Sequence, residues 1–161
     1  PSEWYPRLGH FFNRVEMYLG CAVVIAPHPK HIGRDYSSFF GNRQIGENDT
    51  ATIVQSSMLV IGTNSTSISY PVSFKKPLIL LTCDAIEKSK QRKKLEIKNC
   101  AEATGARVFN IDREYSEEEL RAAMVIDRAK RESYKRKYLT SRTDDKPNYQ
   151  VLLDEVINAT E

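Results

Sequence analysis

Between Ser57 and Thr82 the sequence reads SMLVIGTNSTSISYPVSFKKPLILLT. Two uninterrupted apolar runs of strand length, Met58-Leu59-Val60-Ile61 and Leu78-Ile79-Leu80-Leu81, frame a polar turn and a short helical stretch. Runs that do not alternate suit strands covered on both faces, as in a parallel sheet under helices. Parallel neighbours need a crossover, so this stretch predicts a strand–turn–helix–strand unit. The turn, Thr63-Asn64-Ser65-Thr66-Ser67, places small polar side chains where a strand ends and a helix begins. A helix start leaves backbone N–H groups unpaired, and its dipole favours an anion. Hydroxyls beside such groups suit a phosphate or carboxylate.

The rest of the chain repeats this alternation. Residues 7–19 carry Leu8, Phe11, Phe12, Val15 and Leu19 at helical spacing, and Gly20 marks the stop. Cys21 to Ala26 reads as a first buried strand ending in Pro27-His28-Pro29-Lys30-His31, where two prolines stiffen the loop that holds His28. Residues 32–47 have no strong period, and Phe39 to Ile45 has room for one short edge strand. Asn48-Asp49-Thr50 offers N-caps for a helix carrying Ala51, Ile53 and Val54. After Leu81, EKSKQRKK lacks an apolar face and reads as a solvated helix or a loop. Helical spacing resumes at Ile97, Cys100, Ala101 and Thr104 and stops at Gly105. Arg107 to Ile111 is a further strand. Ser116 and Glu119 have capping-box spacing, with Tyr115 and Leu120 spaced as a hydrophobic staple. That helix is expected to continue through Met124 and Ile126 into a basic tail. Pro147 interrupts, and Val151, Leu152, Val156 and Ile157 form a last short helix.

This order predicts an α/β chain: one Rossmann-like three-layer domain over residues 1–161, with a parallel sheet of about four to five strands and flanking helices. Ligands in such sheets sit outside the carboxyl ends of the strands. Those ends are His28, Asn64 to Ser67, Cys83-Asp84 and Asp112. Pro71 leaves two placements of the helix cap open. The phosphate-facing residues are then either Asn64 to Thr66 or Ser65 to Ser67. Each feature also has a plain structural use, since a Ser/Thr cluster before a helix serves as an N-cap and a histidine between prolines caps a turn.

Charge and motif content narrow the class. The net charge of +3, from 24 basic and 21 acidic residues, is too mild to argue for nucleic acid. The basic stretches 88–98 and 128–137 read first as solvated faces, with a partner or membrane surface as the alternative. Neither GxGxxG nor GxxxxGK[ST] occurs, which disfavours a dehydrogenase or a P-loop NTPase. Cys21, Cys83 and Cys100 are widely spaced, form no CxxC pair and read as reduced thiols in a cytoplasmic setting. No spaced set of metal ligands appears. The sequence opens on Pro1 with no Met, which reads as either a fragment or a processed chain.

Taken together, Val24-Ile25-Ala26-Pro27-His28-Pro29, Leu59-Val60-Ile61-Gly62-Thr63-Asn64-Ser65-Thr66-Ser67 and Phe74-Lys75-Lys76-Pro77-Leu78-Ile79 resemble the donor-binding half of GT-B glycosyltransferases. They are most similar to enzymes of bacterial surface polysaccharide synthesis, the sialyltransferase-like and glycerophosphotransferase-like groups. The resemblance covers Val23 to Leu81; beyond that only the element order agrees. It implies the C-terminal half of a two-domain transferase, inactive without its N-terminal domain. His28 and Ser65 to Ser67 would hold the phosphate of a nucleotide-activated sugar or polyol, without a metal or other cofactor. Residues from Arg43 to Thr50 would lie near the base. The helices after Pro147 would pack back toward the N-terminal domain, and the enzyme would work at or near the inner face of a membrane. Thr63-Asn64 stands where the family often has an acidic residue, which counts against the glycerophosphotransferase branch. The alternatives are a non-catalytic Rossmann-like interaction module and a sugar-nucleotide epimerase relative.

Overall fold

The computed structural model describes residues 3–27, 36–47, 49–63, 65–89, 91–140, 146 and 148–158. Helix α1 spans Trp4–Leu19 and buries Leu8, Phe11, Phe12 and Val15, the stripe expected from their spacing. Gly20 closes it in the left-handed region, at φ +63°, with its N–H donating to the Glu16 carbonyl at 3.0 Å. Without a Cβ, glycine takes that conformation at little steric cost.

Two short helices follow, α2 (Ser37–Phe40) and α3 (Thr50–Ser56). Strand β1 covers Val60–Gly62. A 3₁₀ turn (Thr66–Ile68) leads into α4 (Ser69–Ser73), and β2 covers Leu78–Thr82. Helices α5 (Asp84–Ser89) and α6 (Gln91–Thr104) carry the chain to β3 (Arg107–Asn110). Helices α7 (Glu117–Ala122), α8 (Arg128–Tyr134) and α9 (Asn148–Asn158) complete the order.

The sheet is parallel, in the order β1-β2-β3. Val60 pairs with Leu78 and Gly62 with Leu80, while Ile79 pairs with Arg107 and Thr82 with Asn110. β2 is central and all five of its residues are buried. Successive strand side chains point to opposite faces, so both faces of β2 are covered. Helix α6 packs on β2 and β3. From α1, the Phe11 ring meets Phe109 of β3 at 5.9 Å between centroids. The core joins the α1 stripe to the β2 residues, Ile97 of α6 and Leu120 of α7.

The α/β class with a parallel sheet and flanking helices is as expected, but the sheet is smaller. Three strands stand among the described residues, not four to five. The run Cys21 to Ala26 makes no strand. It contributes one parallel bridge, Ile25 to Ile45, with Ile25 N–H donating to Gln44 at 2.9 Å and Gly46 N–H to Ile25 at 2.8 Å. Its residues alternate between half-buried and exposed, so only one face is covered. Phe39 and Phe40 belong to α2 rather than to an edge strand. The helix starting at Glu117 does not run on into the basic tail. It ends at Ala122, and Asp127 starts a new helix by accepting the Lys130 N–H at 3.0 Å.

Candidate functional site

The carboxyl ends of the three strands carry two different kinds of chemistry. At β1 the polar turn is open and hydroxyl-rich. Ser65 is the cap: its backbone is extended and its Oγ accepts the Ser67 N–H at 3.1 Å. Its hydroxyl also bonds the Ser67 hydroxyl, and Ser69 Oγ donates to the Thr66 carbonyl at 3.0 Å. Ser65, Thr66 and Ser67 are all exposed. This fixes the cap that the sequence left open. It sits at Ser65, and a 3₁₀ turn precedes α4, so Pro71 falls within the short α4, buried, rather than kinking a long helix.

At β2 and β3 the ends are closed by a paired acidic network. Asp112, just after β3, accepts the Asp84 N–H through Oδ2 at 2.7 Å and so covers the start of α5. Its Oδ1 meets Arg7 Nη1 at 2.6 Å, tying α1 to the same point. Asn110 Nδ2 donates to Asp84 Oδ1 at 2.9 Å and to Glu87 Oε1 at 3.2 Å. The Asn110 N–H donates to the Tyr115 hydroxyl at 2.7 Å. The Asn110 hydrogen bond, then Lys88, hold the Asp84 carboxyl below its ordinary value. Each of the three carboxylates has a basic partner: Asp112 pairs with Arg7, Asp84 with Lys88 at 3.1 Å and Glu87 with Arg113 at 3.7 Å.

Helices α6 and α8 wall a cavity of about 290 Å³ beside that end. Ser65 and Ile68 form one side. Glu96, Asn99, Cys100 and Ala103 form another, at the helical spacing of one α6 face, and Tyr134 and Tyr138 form the third. The two tyrosine rings lie 4.8 Å apart, tilted by 45°. Beyond α8 the backbone widens into a π turn over Lys135–Leu139, where the Thr140 N–H reaches the Lys135 carbonyl at 2.9 Å. A π turn re-aims side chains and recurs at functional sites. A wider depression of about 530 Å³, among Glu132, Arg136 and Lys137, lies open on the outer side of α8.

The sequence-derived site residues fall into three groups. His28 and Asn64 lie outside the described residues. Ser65, Thr66 and Ser67 stand together at the end of β1. Arg43 and Thr50 are held elsewhere. Arg43 donates to Glu16 Oε1 at 3.0 Å and Oε2 at 2.7 Å, to Asn13 Oδ1 at 2.6 Å and to the Phe40 carbonyl at 3.2 Å. Its guanidinium also lies 5.3 Å from the centre of the Phe12 ring. These contacts pin the loop after α2 onto α1. Burial raises the Glu16 carboxyl, but the Arg43 hydrogen bonds, the Val23 N–H and the Arg43 charge outweigh it and leave it lowered. Thr50 opens α3, next to the cap Asp49, and is half-buried.

Sequence reasoning missed the cavity residues. Glu96 belongs to a basic stretch that reads as a solvated face, Asn99 to a helix of which only the apolar positions were singled out, and Tyr134 and Tyr138 to a run that reads as a basic tail. Their shared helical face was the available signal. The three cysteines are free, as expected, with Cys83 buried and Cys21 and Cys100 half-buried; burial pushes the Cys21 and Cys100 thiols up. Among the described residues no cluster of histidine, cysteine or carboxylate side chains is placed to hold a metal, and no helix is long and apolar enough to cross a membrane. Comparison of the chain with protein-family models, with curated proteins and with solved structures gave no match.

Proposed function

We propose that this chain is a donor-nucleotide-binding domain of the GT-B type, serving a glycosyltransferase that transfers a nucleotide-activated sugar or polyol phosphate in surface polysaccharide synthesis. The observation that carries the reading is the exposed Ser65-Thr66-Ser67 turn at the carboxyl end of β1, in a parallel α/β sheet, beside an aromatic-walled cavity. A leaving nucleotide gains negative charge as its bond to the sugar breaks. Fixed N–H groups and hydroxyls stabilise that charge without a metal. In this reading Ser65 to Ser67 bind the phosphate, and the resemblance adds Asn64 and His28 to them. Arg43 acts through the fold rather than on the base, since its donors are already taken by Glu16, Asn13 and Phe40. The acceptor and the catalytic base come from an N-terminal partner domain, so the chain alone binds but does not turn over.

One observation favours the second reading, a binding or interaction module without chemistry. The Ser65 hydroxyl already serves as a cap, so the turn has a purely structural use. Ligand-observed NMR with CMP, CDP, UDP and GDP separates the two. The donor reading predicts selective binding of one nucleotide, weakened by about 1–3 kcal/mol in Ser65→Gly, the value of a hydrogen bond to a charged group. Glycine is the better replacement because at an N-cap it costs only a few tenths of a kcal/mol, where alanine costs about 0.5–2. Binding by the parent with no loss in Ser65→Gly or His28→Ala would refute the assignment of these residues.

A further inference from the structure

The donor site makes no use of the two basic stretches. Residues 91–104 and 128–140 hold ten basic and three acidic residues, a surplus of seven in a chain whose net charge is +3, so the remaining residues are net acidic. In sequence the stretches are separated by β3 and α7. The fold sets them side by side, because α8 packs on α6 and the π turn continues the same wall. Tyr134 and Tyr138 on one side and Glu96 and Asn99 on the other line one shared cavity. Of the ten cations only Arg131 is buried.

Ion pairs take up little of this charge. On α6, Glu96 is held by Arg92 at 2.9 Å and Glu102 lies 3.7 Å from Lys98. Lys93, Lys94, Arg128, Lys130, Arg136 and Lys137 form no ion pair among the described residues, and all six are exposed. Apolar side chains stand among them. Leu95 is 56% exposed and lies one turn from both Arg92 and Lys98. Tyr138, 56% exposed, and Leu139, 37% exposed, follow Lys137, whose Nζ lies 5.2 Å from the centre of the Tyr138 ring.

We propose that the outer face of α6, α8 and the π turn docks on an anionic lipid bilayer. A polyphosphate chain would satisfy the cations but offers nothing to an exposed leucine. A bilayer meets both needs. Its anionic headgroups attract lysine and arginine, and the layer beneath them accepts Leu95, Leu139 and the tyrosine ring. Among the described residues no helix is long and apolar enough to cross a membrane, so the contact is with the bilayer surface. This goes beyond the donor reading: it stands on the two helices and needs nothing from the Ser65 turn.

The test is sedimentation of the whole chain with vesicles of phosphatidylcholine, and with vesicles of equal parts phosphatidylcholine and phosphatidylglycerol. The chain should bind the mixed vesicles, leave the neutral ones in the supernatant, and be released as salt rises, since salt screens surface charge. Lys94→Gln/Lys137→Gln should weaken binding by about tenfold or more. Arg113→Gln/Arg121→Gln removes the same charge from exposed positions on other elements and should change it far less. Leu95→Ser should weaken binding by about threefold or more, through the lost apolar contact. Binding to neither vesicle, or equal binding to both, would overturn the proposal. So would an equal loss in the two double variants, which would make the attraction a property of net charge and not of this face. Unchanged binding in Leu95→Ser, or tighter binding of a short single-stranded RNA than of the mixed vesicles, would overturn the choice of a bilayer as the occupant. Salt release of the parent chain keeps the test valid should a variant fail to fold. Nucleotide binding that survives in Lys94→Gln/Lys137→Gln and is lost in Ser65→Gly would keep the two surfaces distinct.

Discussion

Asp112→Ala is the perturbation that most sharply tests how the sheet ends are held. The Asp112 side chain is 8% exposed and its two oxygens serve different elements. Oδ2 accepts the Asp84 N–H at the start of α5, and Oδ1 pairs with Arg7 of α1. A hydrogen bond to a charged group contributes about 1.5–3 kcal/mol. A negative charge at a helix N-terminus adds about 0.3–1 kcal/mol. Arg7 is well exposed and returns to water, so its loss adds little. The expected destabilisation is then about 2–4 kcal/mol, on the sum of these two terms. Asp112→Asn keeps an acceptor for the Asp84 N–H and should lose only part of that. Urea unfolding measures both, and the midpoint should fall with an unchanged slope. A loss below about 0.5 kcal/mol for Asp112→Ala, within the range of ordinary surface substitutions, would refute the reasoning.

Two further outcomes follow from the same physics. Gly105 ends α6 at φ +71°, and a Cβ there would meet the Asp127 Cβ at 2.6 Å; Gly105→Ala should therefore cost about 1–3 kcal/mol by strain alone, measured by the same unfolding titration. Glu16 carries a lowered pKa, with its stabilising share complete above the ordinary value of 4.5 and lost as pH falls through the lower folded value. Arg43→Met should thus destabilise the chain near neutral pH by about 1.5–3 kcal/mol and flatten the acid side of its stability profile, while an unchanged acid limb would contradict the assigned pair.

What the sequence made legible was whatever local chemistry decides. The Ser116–Glu119 capping box closes in both directions, with Glu119 N–H to Ser116 Oγ at 3.2 Å and Ser116 N–H to Glu119 Oε2 at 2.8 Å. Gly20 and Gly105 end their helices as their types predict. The runs at Val60 and Leu78 became strands because each found a parallel neighbour. Cys21 to Ala26 is also apolar but, among the described residues, pairs only at Ile25, and partner supply is a tertiary property. The break between α7 and α8 was hidden for a related reason. The Asp127 cap competes with a helical pattern through Met124 and Ile126, and the structure leaves Val125 at 76% exposure in the connecting turn. For the candidate site, the Ser65 turn was readable because polar residues follow a strand. The cavity wall was not, because Glu96, Asn99, Tyr134 and Tyr138 come from segments whose faces only meet once α8 packs on α6.

The central claim is that the β1 end of the sheet holds a nucleotide phosphate. Backbone amide shifts of the whole chain during titration with CDP, UDP and GDP test it most directly, because they report place as well as binding. The account predicts that one nucleotide shifts the Ser65, Thr66 and Ser67 amides first and most, and leaves Asp84, Asn110 and Asp112 still. Shifts centred on those acidic residues, or none at the Ser65 turn with any nucleotide, would contradict it.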